Sequence, residues 1–186
     1  FAFDKISEDW CKRNPVNSFP NWSCGQEISI RLLHAFEAWY IFNNSKKVTL
    51  LNNSKKEFVK DHIKRISLTR IYAEAQCNNH WISEASALFV GGLWLRDKRL
   101  ERLGRISLEK SIDKLILSDG TFSQYSLTYH RLLIDTIVQV EIWRKRFNAN
   151  NFSNSFREKF INAIIWFSCF IDEESGDGPN LGGNDG

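Results

Sequence analysis

A chain of 186 residues with 42% hydrophobic content is one domain's worth of protein and is long enough to bury a sizeable core. Its net charge of +3, from 25 Lys and Arg against 22 Asp and Glu, is too small to argue for a nucleic-acid partner. No apolar run reaches the roughly 18 to 20 residues needed to cross a bilayer, so no membrane insertion is expected. Cys11, Cys24, Cys77 and Cys169 form no CxxC pair and no cluster with His, which argues against structural zinc and leaves their disulfide state open. The chain opens on Phe1 and contains no Met, and it reads as a mature form or an excised fragment.

In chain order, residues 1–24 carry Pro15, Pro20 and scattered Asn and read as an extended lead-in pinned by Trp10 and Trp22. Apolar periodicity then predicts helices over about 25–43, 56–76, 80–96, 98–117, 124–148 and 153–171, separated by Asn, Ser, Asp and Gly clusters. No strand pattern competes with them. Residues 172–186 are rich in Gly and Asp and read as a loop. Seven Trp and fourteen Phe are many for this length, and core is the expected place for most of them.

The predicted helices alternate in character. Those over 56–76 and 98–117 carry a charged face beside an apolar stripe and belong outside, whereas that over 80–96 is apolar nearly all round and belongs inside, with 25–43 and 124–148 close to it. Inner and outer helices joined by short loops make a stack of antiparallel hairpins that can curve into a solenoid or a toroid. In such a stack the inner helices are parallel neighbours, so their N-termini share one rim. Ser23-Cys24-Gly25-Gln26-Glu27, Asn78-Asn79-His80, Tyr125 and Tyr129 all fall there, and the tail leaving the last helix returns to that side.

Each rim motif has an ordinary explanation. Asn79 before an apolar helix is first of all an N-cap, although Asn78, Asn79 and His80 in succession exceed what one cap needs. His80 and Glu84, four apart on one helix face, allow the carboxyl to orient the imidazole or set its pKa. Tyr125, Tyr129, Leu132, Thr136, Val140 and Trp143 form a stripe that packing alone explains, yet a phenol at Tyr129 beside His130 on the rim of His80 is placed for proton transfer. Ser23 to Gln26 fits a capping box, and Glu27 with Arg31 fits a surface or groove pair. The Gly/Asp tail lacks the spacing of a calcium loop, and no metal site is expected.

The run Asn79-His80-Trp81-Ile82-Ser83-Glu84-Ala85, then Asp119-Gly120-Thr121-Phe122-Ser123-Gln124, then Tyr129-His130-Arg131 resembles the helical domain of the heparinase II/III-like polysaccharide lyases. The opening Asn21 to Glu27 and the closing Gly178 to Gly186 are similar to members associated with bacterial surface polysaccharides. The resemblance implies an all-α fold, antiparallel hairpins forming an incomplete (α/α) toroid over 25–171, followed after the 172–186 loop by a β-sandwich domain outside this chain that packs on the toroid. It implies a periplasmic or cell-envelope setting, an acidic polysaccharide substrate containing uronic acid, and β-elimination without a cofactor. Asn79 would neutralise the uronate carboxylate, His80 or Tyr129 would take the C5 proton, and Tyr129 would protonate the departing oxygen. Asn78, Glu84 and His130 would support them, and Trp22, Gln26, Glu27, Asn180 and Asn184 would contact substrate. A glycan-binding or biosynthesis-associated protein without turnover, and a plain helical scaffold, remain the alternatives. The predicted helix 153–171 is too apolar for a water-exposed outer helix, which points to a covering helix or domain.

Overall fold

The computed structural model describes residues 2–42 and 51–183, and among these the chain forms seven α-helices and no strand. The first, α1 (Ala2–Arg13), replaces the extended lead-in expected over 1–24. Phe3 and Trp10, seven residues apart on one face, pack against the core, while Asp4 in the first turn and Lys12 and Arg13 in the last complement the helix dipole. Pro15 and Pro20 lie beyond the end of α1, so their helix-breaking geometry does not reach back into it. The expected pin is present, with Trp10 and Trp22 rings 6.4 Å apart.

The other six helices follow the predicted order: α2 (Gly25–Phe42), α3 (Asn53–Gln76), α4 (Asn79–Leu95), α5 (Lys98–Leu115), α6 (Leu127–Arg146) and α7 (Asn154–Ser168). α3 starts three residues earlier than 56 because the Asn52 side chain caps it, accepting from the Lys55 N–H at 2.9 Å. α4 is the hub and packs against α2, α3, α5 and α6, which is why it is buried on nearly every face. The inner set is therefore α2, α4 and α6, with α3 and α5 laid outside α4 and α7 packed on α5 and α6. Buried positions on α5 recur as a single stripe of Gly104, Ser107, Leu108, Ser111, Ile112 and Leu115, as an outer amphipathic helix requires.

α4 and α5 form the tightest hairpin. Arg96, left-handed at φ 57°, closes α4, and Asp97 opens α5 by accepting from the Arg99 and Leu100 N–H groups. A Cβ on Gly104 would collide with the backbone of Phe89, so this glycine sets how closely the two helices approach. The aromatic residues serve mainly as core: Phe36 stacks on Trp94 at 5.0 Å, and Trp94 meets Trp143 edge-on at 5.2 Å. α7 carries the exposure anticipated for it, with Ile161 at 54% and Ile165 at 57% accessible. No described helix is long and apolar enough to cross a membrane.

Candidate active site at the inner-helix rim

The N-terminus of α4 is built by two neighbouring side chains. Asn78, in extended conformation, is the N-cap, and its side-chain oxygen accepts from the His80 N–H at 3.0 Å. This moves the cap one residue from Asn79, where the sequence pattern places it, and makes Asn79 the first helical residue. Asn79 is buried, and its backbone N–H donates to Oε1 of Gln124 at 2.8 Å. Gln124 lies in the segment leading into α6, so a single hydrogen bond ties the start of α4 to the approach of α6.

That approach is itself ordered by turn chemistry. Asp119 accepts from the Thr121 N–H at 2.9 Å, Gly120 takes φ 94° against the backbone of Asn162, and Ile116 and Phe122 form an antiparallel bridge. α6 opens at Leu127 with Ser126 as N-cap, accepting from the Tyr129 N–H at 3.3 Å. Tyr125 is consequently outside the helix that the stripe reading extends to 124, and it is exposed with φ 51°. Tyr129 is half-buried in the first turn of α6 and packs on the core.

The tail returns to this rim. The Leu127 N–H donates to the carbonyl of Leu181 at 3.0 Å, and the Ser126 hydroxyl donates to the carbonyl of Gly183 at 2.5 Å. A Cβ on Gly183 would stand 3.7 Å from the Tyr129 ring, so the segment 181–183 runs past the edge of that phenol.

Beneath the rim, Glu84 is 2% exposed and joins three helices. Its carboxylate accepts from the Thr69 hydroxyl of α3 at 3.1 Å, and it occupies the space a Cβ on Gly25 of α2 would need. Burial pushes its pKa up to about 7, against the opposing pull of the Thr69 hydrogen bond and the charges of His80 and Arg65. His80, half-buried one turn away, thus acts on Glu84 electrostatically. The opening of α2 thus meets α4 at Glu84, and the approach to α6 meets it at Asn79.

Several predicted site residues are used differently. His130 does not turn to Tyr129: its ring is buried, Nε2 donates to the Ala163 carbonyl at 2.9 Å, and it stacks on Trp166 at 4.8 Å, stapling α6 to α7. Burial lowers its pKa. Trp22 is 4% exposed and packs on His62 at 4.7 Å, with its Nε1–H on the Asn14 carbonyl, so its surface belongs to the core. Arg31 lies over both Trp10 and Trp22 and donates from Nε to Nε2 of His62 at 3.0 Å. His62 Nδ1–H serves the Phe58 carbonyl, so the ring is neutral, and burial holds its pKa down to about 3. Gln26 is half-buried in the first turn of α2, and Asn180 is exposed on the returning tail. Asn184 lies outside the described residues. All four cysteines are unpaired.

Two cavities lie elsewhere. One of about 530 Å³ sits between α1 and α3 and includes Trp22, Trp39 and His62; the other, about 610 Å³, separates α1 from α2 and includes Glu27, Arg31 and Trp10. Neither is lined by Asn79, His80, Glu84 or Tyr129. Glu27 lines the α1–α2 groove. Among the described residues no group of three or more His, Cys, Asp or Glu is arranged to hold a metal ion.

The heparinase II/III N-terminus family matches residues 2–169 of this chain. The chain belongs to that family. A solved heparinase III shares the fold, with a TM-score of 0.60 at 17% identity. The match covers 91% of this chain and 29% of the heparinase III chain, so the helical unit spans less than a third of that protein. No curated protein matches. The heparinase II/III helical fold places Asn79 and Tyr129 at the openings of two packed inner helices, α4 and α6.

Proposed function

We propose that this chain is the helical part of a polysaccharide lyase that cleaves an acidic, uronic-acid-containing polysaccharide by β-elimination. The observation that supports this most is the hydrogen bond from the Asn79 N–H to Gln124, which ties the start of α4 to the segment leading into α6 in a heparinase II/III fold. The Asn79 amide would donate to the uronate carboxylate and spread its charge, acidifying the proton at C5. His80, or Tyr129 as its phenolate, would take that proton. Electrons of the C5–H bond become the C4–C5 double bond, the C4–O bond breaks, and the leaving oxygen takes a proton from Tyr129. Two chains result, one ending in a 4,5-unsaturated sugar.

Glu84 lies four residues beyond His80, and its carboxyl joins the first turns of α4 to the opening of α2 and the C-terminal half of α3. A β-sandwich domain beyond this chain would form the facing wall of the cleft, in keeping with a likeness that covers 29% of heparinase III. A secreted or periplasmic setting belongs to the same reading. In the full-length protein, Tyr129→Phe should lower formation of unsaturated product by about 10²–10⁴-fold while leaving the thermal transition in place. Wild-type product formation by this variant would refute the proposal. Bound polysaccharide without any product from the wild type would favour a glycan-binding role.

A further inference from the structure

Five non-glycine residues take positive φ among the described residues: Asn17, Cys77, Arg96, Tyr125 and Asn148. Cys77 and Arg96 close helices, where left-handed geometry is common, and Asn17 and Asn148 have the short amide side chain that tolerates it. Tyr125 at φ 51° has neither excuse. It follows a turn in which its own N–H donates to the Phe122 carbonyl at 3.0 Å, a place where Gly or Asn is the inexpensive choice.

Its side chain is unusual in the same way. The residue is 69% exposed. The backbone around it is nevertheless firmly held. Gln124 on one side binds the Asn79 N–H, Ser126 on the other caps α6 and binds Gly183, and a Cβ on Gly182 would collide with the Tyr125 carbonyl. A strained conformation fixed from both sides therefore displays an aromatic face to solvent at the rim, four residues before Tyr129. Strain retained at an over-determined position points to a use for the residue.

We propose that Tyr125 is a stacking platform for a sugar ring of the substrate, next to the ring that is cleaved. The C–H face of a pyranose packs on an aromatic ring, and this contact supplies binding that is the same in ground and transition states. The inference rests on the lyase reading and adds a substrate-contacting residue to it.

The test uses the full-length protein with heparan sulfate, alginate and hyaluronan as probes, scoring both retardation in polysaccharide-containing native gels and unsaturated-product formation. Tyr125→Ala should weaken retardation and raise KM about tenfold with kcat within about twofold, whereas Tyr125→Phe, which keeps the ring, should behave as wild type. Tyr125→Asn should melt at or above the wild-type temperature, because it suits the left-handed backbone. If Tyr125→Ala binds and turns over as wild type while Tyr129→Phe abolishes product, the platform is refuted and the lyase reading stands. If Tyr129→Phe retains product but Tyr125→Ala loses binding, the lyase assignment falls and the glycan contact stands. Absence of both binding and product with all three probes in the wild type would overturn both.

Discussion

At the C-terminal ends of the inner helices, Phe36, Trp39, Trp94 and Trp143 interlock as an apolar aromatic cluster, with Phe36 and Trp94 stacked only 5° from parallel. At the N-terminal ends of the same three helices the buried set includes polar residues, Ser29, Asn79, Ser83, Glu84, Ser126 and His130, beside the apolar Ile28, Trp81, Ile82 and Leu127. Burying polar groups lowers stability unless each is bonded, and a buried carboxyl is costlier still. The aromatic end is held by ring packing, and it buries the indole N–H groups of Trp39, Trp94 and Trp143 without a hydrogen-bond partner. At the polar end the cost falls on the buried Glu84 carboxyl, beneath the rim holding Asn79, His80 and Tyr129. Under the proposed function, the aromatic end serves stability and the polar end serves chemistry.

Breaking the aromatic end should have the largest effect on stability and none specific to chemistry. Trp143→Ala removes a fully buried ring touching Phe36, Tyr40, Trp94 and Phe147, and should cost about 3–5 kcal/mol. Thermal denaturation should show a fall of about 2–4 °C per kcal/mol for a domain of this size. At the polar end, Gln124→Leu leaves the Asn79 N–H without its acceptor and should cost about 1–3 kcal/mol. Its turnover should fall more than that of Trp143→Ala, assayed well below either melting temperature, because it loosens the α4–α6 spacing.

A smaller effect separates the ends by pH. Glu84 has a folded pKa of about 7 against an ordinary 4.5, so the folded state binds more protons than the unfolded one between these values. Its contribution is most favourable below pH 4.5 and is lost as pH rises through about 7. His62 has the opposite sign, since its folded pKa of about 3 lies under the ordinary 6.5 and stability falls as acid protonates the unfolded chain. Melting temperatures of Glu84→Gln and wild type, compared at pH 4.5, 6 and 8, should converge in acid and separate in favour of the variant at pH 8. Parallel curves would show that Glu84 titrates normally.

Six helices and their inner and outer places were legible because apolar periodicity and Asn, Ser and Asp caps are local signals. The missed α1 was hidden by Pro15 and Pro20, whose effect was spread over residues they do not touch, although Phe3 and Trp10 already marked a helical face. The cap at Asn78 and the non-helical Tyr125 are one- or two-residue shifts. Asn78 and Asn79 are chemically alike, and the Tyr125–Tyr129 spacing mimics a helix that Ser126 in fact begins. For His130 and Trp22 the sequence carries no mark of the direction the ring faces. In the fold they bond to Ala163 and pack on His62. Gln124 stood in a quoted motif, but its bond to Asn79 links positions 45 residues apart and has no local signature.

The central claim is that the openings of α4 and α6 form one catalytic centre. A kinetic cycle in the full-length protein tests it most directly, measuring unsaturated-product formation by wild type, Asn79→Ala, Tyr129→Phe and the double variant. If the two residues act on one transition state, each single change removes most of the rate, and the double variant is within about tenfold of the slower single. Fully multiplicative losses, or a wild-type rate in either single variant, would contradict it.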